Sequence, residues 1–494
     1  MRKQKNLILG SDSYKLQQPF LRFDNVNGVS AYFASRPGAQ YDHTRLMGLQ
    51  YTIEEYMAGR VVFQEHIDEA KLVLPLHFNK PLEEAFKFRP WQELVDLNGG
   101  KLSIRIKAMP EGVAVPVGKG NALFVVENMD PDNLSLDAFR DITNHFETIS
   151  TWVWGGSLTI TKSAVTQKII LKALQESCDY AEDVAPFMLH DFGMRGSSCY
   201  EQAAICGAAH ILAGGMGTDT LGPTLDMIDG HYEGDFINEP YCFSVRANEH
   251  SITTSEGKGK EHLVMAHNIK VSPTGVLSYV SDSYGVVETL TNMICGTFKD
   301  AIIKRWEHAP KDSLTKFVVR PDSPRFKGDT AEDQVLWIVE TLSETFGYTT
   351  NDKGYKVLHP SVGCIYGDGL KDDDIINIYD MLLENKWSAE NCLVGQGGNL
   401  HLASGNRDSQ RSAFKCSAQR KIGEDWHDVY KEPADKSKAS MRGRLKNVKI
   451  DGVITTVRLE EYPELEDLMV PIFENGVLLK KYSYKEIRHN VATT

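Results

Sequence analysis

Three aspartates in the middle of the chain stand just after short apolar runs and could bind a cation together. Asp282 follows VLSYV, Asp322 follows KFVV and Asp368 follows GCIY. If these runs are parallel strands, their carboxyl ends meet at one edge and the three carboxylates converge. Convergent carboxylates suit Mg²⁺, which keeps several waters and bridges to substrate phosphates. The same aspartates could instead cap helices or pair with Arg320, because aspartate is a common helix cap.

Glycine-rich and basic segments could supply anion sites next to these carboxylates. In GQGGN, the residues Gly395, Gly397 and Gly398 allow close backbone approach, so that successive N–H groups can face a phosphate. The segment is followed by a basic series, which could also be solvated surface; its members are Arg407, Arg411, Lys415, Lys431, Lys438, Arg442 and Arg444.

Arg195 precedes a segment that is typical of a helix. Ser198 and Glu201 have the spacing of a capping box, so Arg195 is expected beside a helix N-terminus that attracts phosphate. Carboxylates for a metal together with several anion pockets suggest a substrate that bears more than one phosphate.

The elements that must position these residues are short strands alternating with longer helical segments, such as AEDQVLWIVETLSETF. This alternation favours a β/α sheet or barrel, whose site lies at the carboxyl ends of the strands. Seven apolar runs in succession end in acidic, histidine or glycine-rich loops. The runs are PFML, AGGM, YCFSV, VLSYV, KFVV, GCIY and CLV. The loops that follow them, in the same order, are HDFG at 190–193, GTDT at 217–220, ANEH at 247–250, SDSY at 281–284, RPDS at 320–323, GDG at 367–369 and GQGG at 395–398.

Both ends of the chain show a different texture. Residues 100–128 alternate with period two, which predicts antiparallel strands. Asp451-Gly452 and Asn475-Gly476 lie between β-prone runs and favour tight hairpin turns. We therefore expect one mostly antiparallel β domain built from residues 1–150 and 411–494, and an α/β barrel over residues 151–410.

The whole-chain composition limits the possible partners and location. A net charge of −13 argues against nucleic-acid and anionic-membrane binding. Leu7–Leu9 is too short for a secretion signal, and no run approaches a membrane helix. The eight cysteines are scattered without zinc spacing, which favours reduced thiols in a cytoplasmic protein.

Seven motifs, taken together in their order and spacing, resemble those of one enzyme family. From about residue 7 to residue 490 the chain resembles the nicotinamide phosphoribosyltransferases, which are type II phosphoribosyltransferases. The motifs are SDSYK at 11–15, HDFGMRG at 190–196, GTDT at 217–220, EHS at 249–251, SDSY at 281–284, RPDS at 320–323 and IYGDG at 365–369.

The resemblance implies a fold and a reaction. The fold is an irregular α/β barrel with a β-rich domain from both chain ends. The reaction joins nicotinamide to phosphoribosyl pyrophosphate in NAD salvage, and it yields nicotinamide mononucleotide and pyrophosphate.

The resemblance also implies how nicotinamide is held. Phe192 stacks on one side of the pyridine ring, and Tyr14 from the partner subunit of a homodimer stacks on the other. Asp219 accepts a hydrogen bond from the carboxamide, while Ser278 and Arg320 lie near the same amide.

The remaining implied roles concern phosphates, Mg²⁺ and ATP. His250 is the histidine that is phosphorylated by ATP, and it is catalytic together with Asp282 and Asp322. Asp282, Asp322 and Asp368 serve the ribose, Mg²⁺ and pyrophosphate. The implied pyrophosphate contacts are Arg195, His250, Arg320, Arg36, Lys415 and Lys431, and the implied ribose and 5′-phosphate contacts are Asp322, Gly367, Asp368, Gly397, Gly398, Arg407 and Lys438.

Other functions are compatible with parts of this pattern. A nicotinate phosphoribosyltransferase would share the scaffold, and Asp219 argues against it because a carboxylate repels nicotinate. A metal-dependent barrel hydrolase or aldolase would use the acidic rim without the aromatic pair or the phosphate loop. A binding protein without catalysis is a further alternative, although it would not need Phe192, Asp219, His250 and Asp322 together.

Overall fold

The computed structural model describes residues 5–129, 140–367, 369–402, 405–434 and 439–494. The chain divides into two compact units. The β-rich unit comprises residues 1–161, 226–234 and 405–494, and the barrel unit comprises residues 162–225 and 235–404. No helix in the described part of the chain is both long and apolar enough to span a lipid bilayer.

The β-rich unit is built on a seven-stranded antiparallel sheet of order β16-β15-β1-β5-β3-β19-β20. Strands from both chain ends are neighbours in this sheet, which confirms the predicted antiparallel β domain. Two small antiparallel pairs, β2-β4 and β17-β18, complete the unit. Its strands are β1 (Val26–Ala34), β2 (His43–Arg45), β3 (Ile104–Ala108), β4 (Ala114–Pro116), β5 (Ala122–Asn128), β15 (Ala413–Lys421), β16 (His427–Asp428), β17 (Leu445–Ile450), β18 (Val453–Arg458), β19 (Val470–Glu474) and β20 (Val477–Leu478).

The two predicted hairpin turns are present. Asp451 and Gly452 join β17 to β18 with φ of 49° and 82°, and Asn475 and Gly476 join β19 to β20 with φ of 44° and 83°. Positive φ at both central residues is the geometry that Asp-Gly and Asn-Gly favour.

The barrel unit carries a seven-stranded parallel sheet of order β7-β6-β14-β13-β10-β9-β8. The segment that contains β8 also reaches the opposite edge, because Phe243 forms a parallel bridge with Gly217 of β7. The ring is therefore closed, and the predicted irregular α/β barrel is confirmed. The strands are β6 (Leu189–Asp191), β7 (Gly217–Thr218), β8 (Arg246–Ala247), β9 (Val276–Val280), β10 (Lys316–Arg320), β11 (Tyr348–Thr350), β12 (Lys356–Leu358), β13 (Val362–Tyr366) and β14 (Cys392–Gln396), of which β11 and β12 pair separately.

Alternate side chains of the barrel strands pack outward against helices. Tyr279, Phe317 and Cys364 belong to one buried cluster with apolar residues of the helices Ala331–Phe346 and Asp372–Glu384. Burial of each large side chain contributes roughly 1.5–3 kcal/mol. The intervening positions face the barrel axis, and several of them are small or polar: His190, Ser278, Gly363 and Gly395.

The helices follow the strands as the sequence predicts, and the helix at Ala331–Phe346 has a strong start signal. Thr330 accepts a hydrogen bond from the Asp333 N–H, and the Asp333 carboxylate accepts one from the Thr330 N–H. The α-helices are Leu49–Tyr56, Gln64–Phe78, Leu82–Ala85, Arg89–Asn98, Ile142–His145, Glu147–Thr151, Trp154–Ser177, Ala181–Val184, Tyr200–Leu212, Leu221–His231, His250–Thr253, Glu261–Val271, Val286–Glu288, Lys299–Glu307, Ala331–Phe346, Asp372–Glu384 and Tyr484–Thr493; the 3₁₀-helices are Ser13–Phe20, Ala185–Phe187, Met194–Gly196 and Ala389–Asn391, and Thr289–Thr297 is π-helical.

Four local predictions were wrong. The YCFSV run at 241–245, expected as a strand, contains only an isolated bridge at Phe243, and β8 begins after it at Arg246. Pro186 and Phe187, expected in a strand, form a 3₁₀ turn before β6. Gly214 and Gly215, part of another expected strand, follow a helix end instead, and only Gly217 and Thr218 extend as β7. The capping box at Ser198 is also absent, as described below.

Candidate active site

An open cleft of about 1010 Å³ lies at the carboxyl ends of the barrel strands. This is the position at which β/α barrels carry their sites. The cleft brings together most of the predicted site residues of the barrel unit, because its lining includes Phe192, Arg195, Asp219, His250, Arg320, Asp322, Gly367, Gly397 and Gly398.

Phe192 rests on glycine backbone. A Cβ atom on Gly395 would lie 2.1 Å from Phe192 Cε2, and one on Gly367 would lie 3.3 Å from the same atom. On another side, the His190 ring centroid is 4.7 Å from that of Phe192. The glycines thus create the space that the aromatic ring occupies, and the ring is placed to stack against a flat ligand.

Asp219 presents a carboxylate to the cleft. Its Oδ1 lies 3.5 Å from His190 Nε2 and accepts a hydrogen bond from the Ser244 hydroxyl. Burial raises the pKa of this carboxyl, but its interactions with His190 and Ser244 outweigh burial and lower the pKa below its ordinary value. Asp219 is therefore an ionised hydrogen-bond acceptor, and its side chain is 48% exposed for a ligand.

A buried aspartate that sequence reasoning did not assign anchors the loop of Phe192. Asp191 accepts hydrogen bonds from the Gly193 N–H at 2.7 Å and from the Thr218 hydroxyl at 2.8 Å. His401 Nε2 lies 2.9 Å from its Oδ1. Burial alone would raise the pKa of Asp191, but His401 and these donors hold it well below its usual range. The HDFG motif was the available signal, since Asp191 stands between His190 and Phe192.

His250 lies between two carboxylates. Its Nε2 is 3.7 Å from Asp282 Oδ1 and 3.8 Å from Asp322 Oδ2, while its Nδ1 is 2.9 Å from the Ser283 hydroxyl. The imidazole is 48% exposed and can be reached from the cleft. A nitrogen held in this position can act as a nucleophile or as a proton carrier.

Asp282 is the buried member of this group. Its Oδ2 accepts a hydrogen bond from the Ser323 hydroxyl, and its Oδ1 is buried without a hydrogen-bond partner among the described residues. An unpartnered carboxylate oxygen beside an open cleft fits a cation ligand. Within the described residues no group of three or more histidine, cysteine or acidic side chains has a metal-binding arrangement, and Asp368 lies outside the described residues.

Arg320 is fixed at the end of β10 and points toward the acidic residues. Its Nη2 donates to the Asn248 carbonyl, and its Nε is buried without a partner in the described part of the chain. Burial lowers the pKa of this guanidinium, while Asp322 and Asp219 act in the opposite direction. Ser278 pairs with Val318 in the neighbouring strand and is buried on the same face.

The loops of Arg195 and of the glycine-rich segment approach each other closely. A Cβ atom on Gly196 would lie 2.8 Å from the Cα of Gly398, so position 196 needs the small residue. Arg195 is exposed on the 3₁₀-helix Met194–Gly196, where its guanidinium can contact a negatively charged group of a ligand.

The helix after Arg195 starts differently from the prediction. Its N-cap is Cys199, with an extended backbone and no side-chain cap. The Ser198 hydroxyl and N–H both contact Gln202 Oε1 instead. The predicted capping box between Ser198 and Glu201 was therefore wrong, because the Ser198 hydroxyl and N–H both donate to the Gln202 side-chain carbonyl.

The other predicted phosphate residues lie in the β-rich unit, where they form a basic cluster around the start of β15. Burial and the nearby charges of Arg411 and Arg407 lower the pKa of Arg36. Burial also lowers the pKa of Lys415, and Lys431 adds to this effect. Mutually destabilised cations of this kind favour binding of an anion. Lys438, assigned to the same role, lies outside the described residues.

Tyr14 belongs to the β-rich unit as well. It lies on the 3₁₀-helix Ser13–Phe20, and 59% of its surface is exposed. Lys15 Nζ lies over the ring at 5.5 Å from its centroid, and the exposed part of the ring can contact another molecule.

Comparison with known proteins agrees with these features. The chain matches the nicotinate phosphoribosyltransferase (NAPRTase) family over residues 187–461 and the nicotinamide phosphoribosyltransferase N-terminal domain over residues 6–106. Nicotinamide phosphoribosyltransferase of Xanthomonas campestris pv. campestris (strain 8004) is 35% identical over 494 aligned residues, which cover 98% of this chain and 97% of the relative. The protein of the same name from Acinetobacter baylyi is 29% identical, with coverage of 80% and 77%.

Two solved structures share the fold. Nicotinate-nucleotide pyrophosphorylase from Pyrococcus furiosus superimposes with a TM-score of 0.56 at 15% identity, covering 100% of this chain and 96% of its own. Human nicotinic acid phosphoribosyltransferase has the same TM-score at 14% identity, with coverage of 98% and 93%. Because the Xanthomonas relative matches along nearly its entire length, the chain belongs to the nicotinamide phosphoribosyltransferase family.

Proposed function

We propose that this chain joins nicotinamide to phosphoribosyl pyrophosphate and forms nicotinamide mononucleotide and pyrophosphate. The pyridine nitrogen forms a bond to C1 of the ribose while the bond from C1 to the pyrophosphate oxygen breaks. The observation that carries the proposal is the ionised Asp219 beside the Phe192 ring in the cleft. A carboxylate accepts hydrogen bonds from the carboxamide NH₂ of nicotinamide and repels the carboxylate of nicotinate.

In this proposal the chain acts mainly by positioning and by charge. Phe192 stacks on the pyridine ring, and Asp219, with Ser278 and Arg320 close to the amide, sets the direction of the ring nitrogen. Holding two reactants in line can lower the activation free energy by several kcal/mol. Arg195 and Arg320 stabilise the negative charge that develops on the leaving pyrophosphate.

Mg²⁺ would be held by Asp282 and Asp322. Asp282 Oδ1, which is buried without a hydrogen-bond partner among the described residues, supports this assignment. When bound, Mg²⁺ neutralises phosphate charge and so assists departure of pyrophosphate. The Gly397-Gly398 backbone and Gly367 would face the 5′-phosphate, and the basic cluster of Arg36, Arg407, Lys415 and Lys431 in the β-rich unit would bind phosphate groups.

ATP is proposed as an activating co-substrate through His250. Nucleophilic attack by an imidazole nitrogen on the γ-phosphorus would give a phosphohistidine and ADP. The support is the exposed imidazole beside Asp282 and Asp322, where a phosphoryl group would share the metal site.

A homodimer and a cytoplasmic location complete the proposal. The exposed Tyr14 of a second copy would stack on the open face of the pyridine ring. None of the eight cysteines, all of which lie in the described part of the chain, forms a disulfide bond, which suits a reducing compartment.

The second candidate is use of nicotinate, favoured by the match to the nicotinate phosphoribosyltransferase family over residues 187–461. One incubation separates the two. The purified protein receives Mg²⁺, phosphoribosyl pyrophosphate and equimolar nicotinamide and nicotinate, with or without ATP, and mass spectrometry identifies the nucleotide. Dominant nicotinamide mononucleotide supports the proposal, dominant nicotinate mononucleotide supports the second candidate, and absence of both removes the proposed activity.

A further inference from the structure

Two hydroxyl groups beside the cleft form a hydrogen-bonded chain that ends at His250. The Thr253 hydroxyl lies 2.6 Å from the Ser283 hydroxyl, which lies 2.9 Å from His250 Nδ1. Ser283 belongs to the SDSY motif, and Thr253 is completely buried at the end of the short helix His250–Thr253. Neither residue has a role in the proposed reaction so far.

The direction of the hydrogen bonds follows from the neighbours of Thr253. Its hydroxyl lies within 3.1 Å of the Glu249 carbonyl and within 3.3 Å of the His250 carbonyl, and both can only accept. If Thr253 donates to a carbonyl, Ser283 donates to Thr253 and is left to accept from His250. The proton of a neutral imidazole is then on Nδ1.

The opposite direction makes fewer hydrogen bonds. Thr253 would donate to Ser283, Ser283 would donate to Nδ1, and the proton would be on Nε2. That proton would face the carboxylates of Asp282 and Asp322 at 3.7 and 3.8 Å, beyond hydrogen-bond distance. The first direction satisfies three hydrogen bonds and the second only two.

We propose that Thr253 and Ser283 are positioning residues that hold His250 in the Nδ1–H tautomer, so that the lone pair of Nε2 faces the cleft. The catalytic meaning of this inference rests on the proposed ATP step. In that step a bond forms between Nε2 and the γ-phosphorus, the bond from the γ-phosphorus to the bridging oxygen breaks, and ADP leaves. Without the two hydroxyls, the imidazole is not held in its nucleophilic tautomer.

Nuclear magnetic resonance tests the tautomer without ATP. Long-range ¹H–¹⁵N spectra of the full chain labelled with ¹⁵N-histidine are recorded at a pH of about 8.5, two units above the ordinary pKa of histidine. The His250 signals are identified by their loss in His250→Gln. Wild type and Thr253→Ser, which keeps the hydroxyl, are expected to show a protonated Nδ1 and a free Nε2. In the isosteric Thr253→Val, Ser283 loses its acceptor, donates to Nδ1 and shifts the proton to Nε2.

A wild-type imidazole protonated on Nε2, or a Thr253→Val spectrum like that of wild type, overturns the inference. If Thr253→Val does not fold, Ser283→Ala takes its place, and retention of the wild-type Nδ1–H preference in that variant overturns it equally.

Phosphorylation separates this inference from the proposed function. After incubation with ATP, antibodies specific for each phosphohistidine isomer should detect phosphate on Nε2 in wild type and Thr253→Ser, and about tenfold slower labelling in Ser283→Ala. Phosphate on Nδ1 of wild type overturns the positioning role. No phosphate in wild type, with the tautomer as expected, removes the ATP step and leaves the inference standing.

Discussion

At the residue scale, Asp219 is the position where the choice between nicotinamide and nicotinate is expected to be made. Its carboxylate is held by His190 and Ser244, and its pKa lies below the ordinary value, so it keeps its charge at neutral pH. Replacement by asparagine removes the charge and adds an NH₂ donor that a carboxylate ligand can use. We expect Asp219→Asn to lower the ratio of kcat/KM for nicotinamide to that for nicotinate by about tenfold or more.

Competition assays with both bases measure this ratio. The matched control is Asp300→Asn, which replaces an exposed aspartate on the helix Lys299–Glu307. An unchanged ratio would remove Asp219 from selectivity.

Gly395 tests the stacking role of Phe192. The Cβ atom of an alanine there would lie 2.1 Å from the Phe192 ring, so the ring must move. We expect Gly395→Ala to raise KM for nicotinamide by about tenfold while KM for phosphoribosyl pyrophosphate changes less. Gly230→Ala is the control, because a Cβ atom at Gly230 meets nothing within 4 Å. Equal increases in both constants would show that the loop, and not the ring, is disturbed.

The position of single residues in the cleft was predictable where a motif places them at a strand end, as for Asp322 in RPDS and Phe192 in HDFG. The contacts that support them were not. Asp191 is held by Thr218 and His401, which are 27 and 210 residues away in the chain, and no spacing in the sequence relates residues that meet only after the barrel closes.

At the element scale, a buried histidine joins a helix to β7. His210 Nδ1 lies 2.9 Å from the Ser163 hydroxyl, and its Nε2 lies 3.2 Å from the Gly217 carbonyl. Burial lowers the pKa of His210 to about 4, whereas the unfolded chain has a histidine pKa of about 6.5. As pH falls from 6.5 toward 4, the unfolded state binds a proton that the folded state does not, so this group makes stability fall over that window.

We expect His210→Gln to be less stable than wild type at pH 7 but less sensitive to acid. Wild type should lose about 2 kcal/mol more of its free energy of unfolding between pH 7 and pH 5 than the variant does. Urea titrations at both pH values measure the difference. His308→Gln, at an exposed position, should retain the wild-type loss, and a parallel pH dependence of wild type and His210→Gln would contradict the assignment.

Elements were predictable where local chemistry determines the backbone. Asp451-Gly452 and Asn475-Gly476 identify hairpins because both positions need positive φ, and the apolar run VLSYV correctly located the strand Val276–Val280. Local chemistry was misleading before β6, since the apolar PFML run gives no sign that Pro186 and Phe187 turn. The placement of residues 226–234 with the β-rich unit was likewise outside what periodicity can indicate.

At the scale of the whole molecule, the proposed homodimer makes a prediction that activity alone can test. If Tyr14 acts in the site of the partner subunit, each site needs Phe192 of one chain and Tyr14 of the other. Tyr14→Ala and Phe192→Ala homodimers then lack one stacking residue in every site, and both should have strongly reduced activity with nicotinamide. In a mixed dimer, one site carries both substitutions and the other carries neither.

Random exchange of the two variants should therefore restore activity. Half of the dimers formed from equal amounts are mixed, so about a quarter of all sites regain both aromatic residues, and activity should rise to about a quarter of wild type. The chains are mixed under conditions that dissociate and reassociate dimers, and nicotinamide mononucleotide is measured before and after exchange. Mixing each variant with itself is the control. If Tyr14 acted within its own chain, every chain in the mixture would still carry one defect in its site and no activity would return, and a strictly monomeric mass at assay concentration would exclude the shared site directly.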